Sequence, residues 1–273
     1  MMKTIIKCSL AVATLGFGST ALASPRPLPF TYPVETLDKG ELELELYGDM
    51  TPLRVYADPA GDPTKGKLWE PFYLIQNEFE YGVTDRLELG FYQVFEGNPQ
   101  DGGGNTMTFD GFKWEIRTRL AEMGEWPVDV GLYFELETMH DELSFEEKVL
   151  LQRRFGSLRL MANLWVEQSI FRPLDASPPR ELDFIINPTA GFVYEVAPWF
   201  QPGVEYWARG RLDVPGSDPE AVHHFVGPTV HFNWGKLWWT MGGYVDVTNT
   251  GTPQVNSAVY GPLWVRSVLG LSL

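Results

Sequence analysis

Cysteine is almost missing from this chain: one in 273 residues, at position 8. It falls in a stretch laid out like a secretory leader. Lys3 and Lys7 give a basic start, Cys8 to Leu22 is mostly small and apolar, and Ala21-Leu22-Ala23 fits an A-x-A cleavage site. Residues 1–23 are therefore expected to be a signal peptide, and a chain starting at Ser24 has no disulfide option. A secreted protein without disulfides needs a large ordered scaffold. Basic residues are also scarce, 21 against 36 acidic, for a net charge of −15, which becomes −17 once the two leader lysines are gone. That balance excludes nucleic acid as a partner, because binding it needs a basic footprint. Beyond the leader no run of ~20 apolar residues occurs, which excludes membrane-spanning helices. HExxH, GxSxG, P-loop and CxxC patterns are absent, so no enzyme, cofactor or metal centre is expected. Among the four histidines, His223 and His224 are adjacent and face opposite sides of a strand. His223 and His231 share a face but lie roughly 27 Å apart along it. His140-Asp141 stands beside a predicted loop.

Aromatic residues and alternation are abundant. The chain holds 10 Trp, 11 Tyr and 17 Phe, more than an acidic soluble protein has use for. Asn77 to Phe91 alternates glutamate with apolar residues, turns through Gly82-Val-Thr-Asp-Arg86 and alternates again, the pattern of a β-hairpin. The same pattern recurs to the end. Glu41 to Tyr47 predicts a first strand, and Trp69 to Phe95 the hairpin. Further strands are predicted at 112–120, 128–138, 145–154, 158–170, 181–194, 199–211, 222–234, 237–247 and 258–273, twelve in all. Residues 24–40 form a Pro-rich lead-in, with prolines at 25, 27, 29 and 33, expected as an extended segment on the periplasmic side.

Two features make this list a closed transmembrane barrel. Connections at 82–86, 121–127, 155–157, 195–198 and 235–236 are short, whereas those at 48–68, 97–108, 171–180, 212–221 and 248–257 are long, and the two kinds alternate. That is the asymmetry of outer-membrane barrels, with short periplasmic turns and long external loops. The connection 140–144 is the exception, being short where a long one is due. The second feature is that Leu263, Val265, Leu269, Leu271 and Leu273 alternate to the last residue, as a closing strand does. The fold class expected is all-β, a closed antiparallel transmembrane barrel of about 12 strands over residues 24–273, in the outer membrane of a Gram-negative bacterium. Lipid tolerates no open sheet edge, so the apolar face must point outward and the charged face inward. Outer-membrane lipid is then the first partner.

Phe79-Glu-Tyr-Gly-Val-Thr-Asp-Arg-Leu-Glu-Leu-Gly90 resembles a hairpin found in outer-membrane proteins of the phenol meta-cleavage pathway type. The resemblance covers this hairpin and the general layout. It implies an outer-membrane β-barrel involved in uptake and carries over no functional residue.

The inward register collects the candidate lumen residues. Early strands bring Glu43, Glu45, Glu78, Glu80 and Glu88, and later ones bring Lys113, Arg117, Arg119, Arg154, Arg159 and Arg209. Acidic positions return at Glu135, Glu137 and Glu205, and Tyr133, Trp165, Trp207, Trp238 and Tyr244 fall on the same face. A barrel of this size is narrow inside. Acidic and basic walls could orient a small polar or aromatic solute in a narrow channel. The same charges could instead form a ladder of ion pairs that fills a structural barrel. A third reading, a soluble periplasmic β-protein that binds a ligand, would put Leu42, Trp114 and Leu132 in a dry core. Trp69, Trp126, Trp199, Trp234 and Trp239 lie near predicted strand ends, as an interfacial girdle requires. Neither the solute nor the oligomeric state follows from the sequence.

Overall fold

The computed structural model describes residues 25–55, 69–98, 106–140, 142–171, 182–212, 220–248 and 262–273. The expected leader, 1–23, and Asp141 lie outside the described residues. The chain forms strands β1 (Leu42–Val55), β2 (Trp69–Thr84), β3 (Leu87–Asn98), β4 (Thr106–Arg119), β5 (Asp129–Met139) and β6 (Glu142–Phe155). These are followed by β7 (Leu158–Phe171), β8 (Leu182–Ile186), β9 (Thr189–Tyr194), β10 (Phe200–Arg211), β11 (Glu220–Asn233), β12 (Leu237–Asp246) and β13 (Leu263–Ser272). Neighbours in sequence pair antiparallel, and β13 returns to pair with β1 from Met50↔Val265 to Glu43↔Ser272. The sheet is closed.

β8 and β9 are two halves of one stave, so the wall has twelve. Both halves lie between β7 and β10, and the pairs Val166↔Ile186 and Asn163↔Thr189 fall on a single register. The interruption is chemical: Pro188 has no N–H to give the ladder. Its carbonyl still accepts from Ala208 N–H at 3.0 Å, and Asn187 N–H donates to the Trp165 carbonyl at 3.1 Å.

Some strands are longer than the alternation predicts. β1 continues to Val55 through Gly48, where a loop is expected, because Tyr47, Asp49 and Thr51 keep the inward register. β3 likewise runs to Asn98, and β4 starts at Thr106. Turn-forming glycines and prolines within a strand thus mislead about where a barrel strand ends. The closing strand is seen over Leu263–Ser272, and positions 258–261 of its expected range lie outside the described residues.

Alternation decides the faces. Leu42, Leu46, Trp114, Ile116, Leu132 and Leu164 are exposed, while their neighbours Glu43, Glu45, Glu115, Arg117, Tyr133 and Asn163 are buried. Such an inside-out pattern rules out a soluble sandwich, whose apolar face would be the buried one. Trp126, Trp199 and Trp234 are exposed at the short-turn end, together with Phe155 and Tyr194, and form a girdle at one rim. No helix of the described residues is long and apolar enough to cross a membrane, and the strands do that work here.

Two outcomes check this assignment of faces. In the membrane-inserted protein, a cysteine replacing Trp114 is labelled by a lipid-embedded reagent, and one replacing Glu115 is not; the reverse pattern rules out the barrel. Leu164→Arg, mid-stave on the lipid face, is expected to destabilise the barrel by about 2–4 kcal/mol in denaturant titration of the inserted protein.

Candidate functional site: a plugged lumen with a charged vestibule

The Pro-rich segment does not stay outside on the periplasmic side. Residues 26–34 and Leu37 are buried inside the barrel, with Arg26, Leu28, Thr31, Val34 and Leu37 at 1% exposure or less. It enters from the short-turn end. Lys39 N–H donates to Asp85 Oδ1 at 3.1 Å, and Gly40 N–H to the Gly82 carbonyl at 2.7 Å. Gly40 makes the turn into β1 at φ +85°, and a Cβ on Gly82 would lie 2.1 Å from the Asp38 carbonyl oxygen. Glycine is needed at both places.

A peptide inside a barrel has no partner strand, so its backbone groups must find other partners. Four prolines between 25 and 33 reduce the donors to be met. Wall side chains take many of the rest. Glu205 Oε1 accepts from the N–H groups of Phe30 (3.0 Å) and Thr31 (2.6 Å). Asn163 makes a reciprocal pair with Tyr32, accepting its N–H at 2.7 Å and donating to its carbonyl at 3.0 Å. Leu37 N–H donates to Glu88 Oε2 at 2.6 Å, and Thr240 Oγ1 donates to the Arg26 carbonyl at 2.5 Å. Glu35 accepts from Gln152 at 2.9 Å and from Arg159.

The plug's side chains complete the fit. Phe30 stacks on Trp207 at 4.6 Å between ring centres, and Tyr244 and Trp264 stand edge-on to it. Trp207 in turn lies flat on Phe225 at 4.0 Å. Leu28 packs with Met161 and Val193. The Arg26 guanidinium lies 3.6 Å from the Tyr32 ring centre.

Above the plug, toward the ends of the staves that carry the long connections, a cavity of about 280 Å³ remains. Tyr32 of the plug belongs to its lining, with Tyr47, Tyr92, Trp165, Trp207 and Trp264 on the walls. Charges of both signs face it. Lys113 pairs with Glu137 at 2.7 Å and Glu135 at 3.2 Å, and Arg209 with Glu167 at 3.2 Å. Arg266 grips Asp49 with two bonds of 2.7 and 2.8 Å. Lys148 pairs with Glu146 at 2.5 Å, and its ammonium is 3.9 Å from the ring centres of Tyr32, Tyr133 and Trp165. The cavity is thus walled by rings and by fixed charges that are already paired.

The nineteen positions picked from alternation do not share one place; Trp238 is buried and donates to Glu43 at 2.6 Å. Glu43, Glu45, Glu78, Glu80, Glu88, Arg117 and Arg159 are buried at the level of the plug. Glu205 and Tyr244 bond to each other and hold the Phe30 end of the plug. Lys113, Glu135, Glu137, Trp165, Trp207 and Arg209 line the cavity, with Tyr133 behind Lys148. Two positions differ. Arg154 has the inward register but sits past the wall's edge, half exposed and paired with Glu195 at 2.5 Å. Arg119 is at the same rim, donating to the Asp85 carbonyl at 2.9 Å. A side chain on the correct face faces the lumen only where the sheet continues beyond it.

Alternation missed the plug itself, with Arg26, Phe30 and Tyr32. A signal was present: large residues at 26, 28, 30, 32 and 34 alternate with prolines and Thr31, which suits burial better than a wet linker. Of the histidines, His223 and His231 are both buried within the barrel, one against Asp246 at 3.1 Å and the other against Thr240 at 2.7 Å.

No protein-family model matches the sequence, and no curated protein matches it. Solved structures do share its fold. An outer-membrane channel from Pseudomonas putida F1 aligns with a TM-score of 0.63 at 13% identity, over 88% of this chain and 98% of that one. A NanC porin aligns with a TM-score of 0.54 at 9% identity, over 84% and 98%. The chain has the fold of these barrels, and its apolar exterior suits it to a lipid bilayer.

Glu205 is the plug's most heavily used acceptor. Glu205→Ala leaves two plug N–H groups without a partner, at about 1–3 kcal/mol each. In the inserted protein, cleavage within 25–39 by protease added on the short-turn side is expected to rise at least tenfold, with the barrel still folded by heat-modifiable migration.

Proposed function

We propose that this protein is an outer-membrane channel for small polar or aromatic solutes, with the 280 Å³ cavity as its solute vestibule and residues 25–39 as the element that closes it. The observation that carries this reading is the cavity itself. A purely structural barrel has no reason to keep a volume walled by rings and paired charges directly above a fitted plug. An apolar cavity of ~150 Å³ holds benzene, so the vestibule has room for a single-ring solute and little more. Its chemistry suits such a solute: rings for stacking, cations for a carboxylate or phenolate, carboxylates for hydroxyls. The fold shared with a P. putida channel and a porin supports transport as the general activity. The resemblance of the 79–90 hairpin to proteins of the phenol meta-cleavage pathway type supports an aromatic cargo.

Closure by the plug explains how both readings of the charges hold at once. Ion pairs and plug fill the lower lumen, whereas the upper lumen stays open enough for a guest. Conduction then requires the plug to shift, and beyond its chain connection to β1 at Gly40 the plug is held by many modest non-covalent contacts.

Planar-bilayer recordings test the proposal. The intact mature barrel is expected to show small, intermittent steps, and a variant lacking 25–39 a conductance at least severalfold larger and continuous. Absence of conductance in both, with insertion confirmed by heat-modifiable migration, would return the protein to a structural role. In the plug-deleted channel, Lys148→Met is expected to shift selectivity further toward cations, read as a change in reversal potential under a salt gradient.

A further inference from the structure

Below the vestibule, the wall carries more negative charge than its neighbours offset. Glu43, Glu45, Glu78, Glu80, Glu88 and Glu115 are all at 2% exposure or less. Six carboxylates here meet two guanidiniums, Arg26 and Arg117. Arg117 is well used, bonding Glu80 at 3.0 Å and Glu88 at 2.9 Å and lying 3.6 Å from Glu115. Arg26 comes no nearer than 3.7 Å to Glu45 and 3.8 Å to Glu78, and its three nitrogens make no hydrogen bond. The Tyr47 hydroxyl, with one proton to give, faces both Glu45 and Glu78.

Two oxygens in this group have no hydrogen-bond partner: Glu115 Oε1, which lies 3.6 Å from Arg117 Nε, and Glu78 Oε1, on a side chain with no solvent exposure. The latter points to a gap in the wall. Gly90 stands between Glu80 and Glu115 in the ladder, so the inward row lacks a side chain there. A Cβ on Gly90 would lie 3.0 Å from Glu78 Oε1 and 3.3 Å from Glu115 Oε2. Oxygens from Glu78, Glu80 and Glu115 converge around this gap, all within 4.8 Å of one another. Calcium takes oxygen ligands at about 2.3–2.6 Å, so two oxygens on one ion lie at most about 5 Å apart. The spacing fits a shared ion.

We propose that Glu78, Glu80 and Glu115, gathered around Gly90, bind a hard divalent cation of the calcium type within the wall of β2, β3 and β4. The ion supplies the positive charge that Arg26 and Arg117 leave wanting and ties the three strands together beside the plug. Carboxylate oxygens are the ligands such an ion selects, and the site offers no nitrogen or sulfur donor that would favour a softer metal. This site is independent of what the vestibule carries.

Terbium(III) is a suitable probe, because Tyr92 bonds Glu115 at 2.6 Å and Tyr47 bonds Glu78, so both rings can sensitise its emission. The mature protein, refolded in detergent without metal, is expected to give saturable tyrosine-sensitised emission at one ion per chain, displaced by calcium. Glu78→Gln/Glu115→Gln is expected to weaken binding at least tenfold. Gly90→Ala, which keeps every carboxylate but fills the gap, should do the same, whereas Glu195→Gln at the rim should leave it unchanged. Absence of saturable emission from the folded wild type would overturn the proposal and mean that shared protons neutralise the cluster. Emission equally strong in Gly90→Ala would also overturn it. If the double variant fails to migrate as a folded barrel, Gly90→Ala decides alone.

Discussion

A closed sheet in lipid gives its charged residues one direction to face, and here that direction is crowded with carboxylates. Following the ladder from β1 to β7, Glu43 lies opposite Glu80, Glu80 opposite Gly90, and Gly90 opposite Glu115. The row continues through Glu135, Glu146 and Glu167. Directly opposed like charges destabilise a sheet, and these six glutamates are buried. The interior is organised around offsetting them. Trp238 donates to Glu43, Arg117 to Glu80, Tyr92 to Glu115, Lys113 to Glu135, and Arg209 reaches Glu167. Most donors come from nearby strands, whereas the bond from Trp238 on β12 to Glu43 on β1 forms only once the cylinder has closed.

The plug belongs to the same economy of charge and hydrogen bonds. Acceptors on the wall are turned onto its backbone: Glu205 onto Phe30 and Thr31, Glu88 onto Leu37. In the other direction, the plug brings Arg26 into the acidic region and Glu35 to Arg159. Wall and plug are complementary in charge. Buried ion pairs of this kind tend to confer specificity of arrangement more than stability. Here the arrangement they specify is a filled lower lumen beneath an open upper one.

Much of the wall was legible because its physics is local. Period-two alternation in 112–120 or 128–138 states which residues face lipid, whatever the rest of the chain does. The count of twelve staves followed from the turns, even across Pro188, where the ladder is interrupted but the register is not. Strand ends were less legible. Gly48 sits within β1 because its neighbours on both sides find pairing partners, information that lies on β2 and β13. Arg154 was misplaced for a related reason: alternation gives the face but not the height of the wall.

Residues 25–39 mark the boundary between the two kinds of knowledge. Four prolines and the absence of a ladder pattern do determine that this segment is no strand, and the sequence determines the barrel's outward and inward faces, since both follow from dihedral geometry and the period of side chains along a strand. Only the tertiary structure decided that the segment turns into the lumen at Gly40, that Glu205 and Asn163 meet it from strands more than 120 residues away, and that a cavity is left above it. These depend on cross-barrel distances, which exist only after closure brings the first strand to the last.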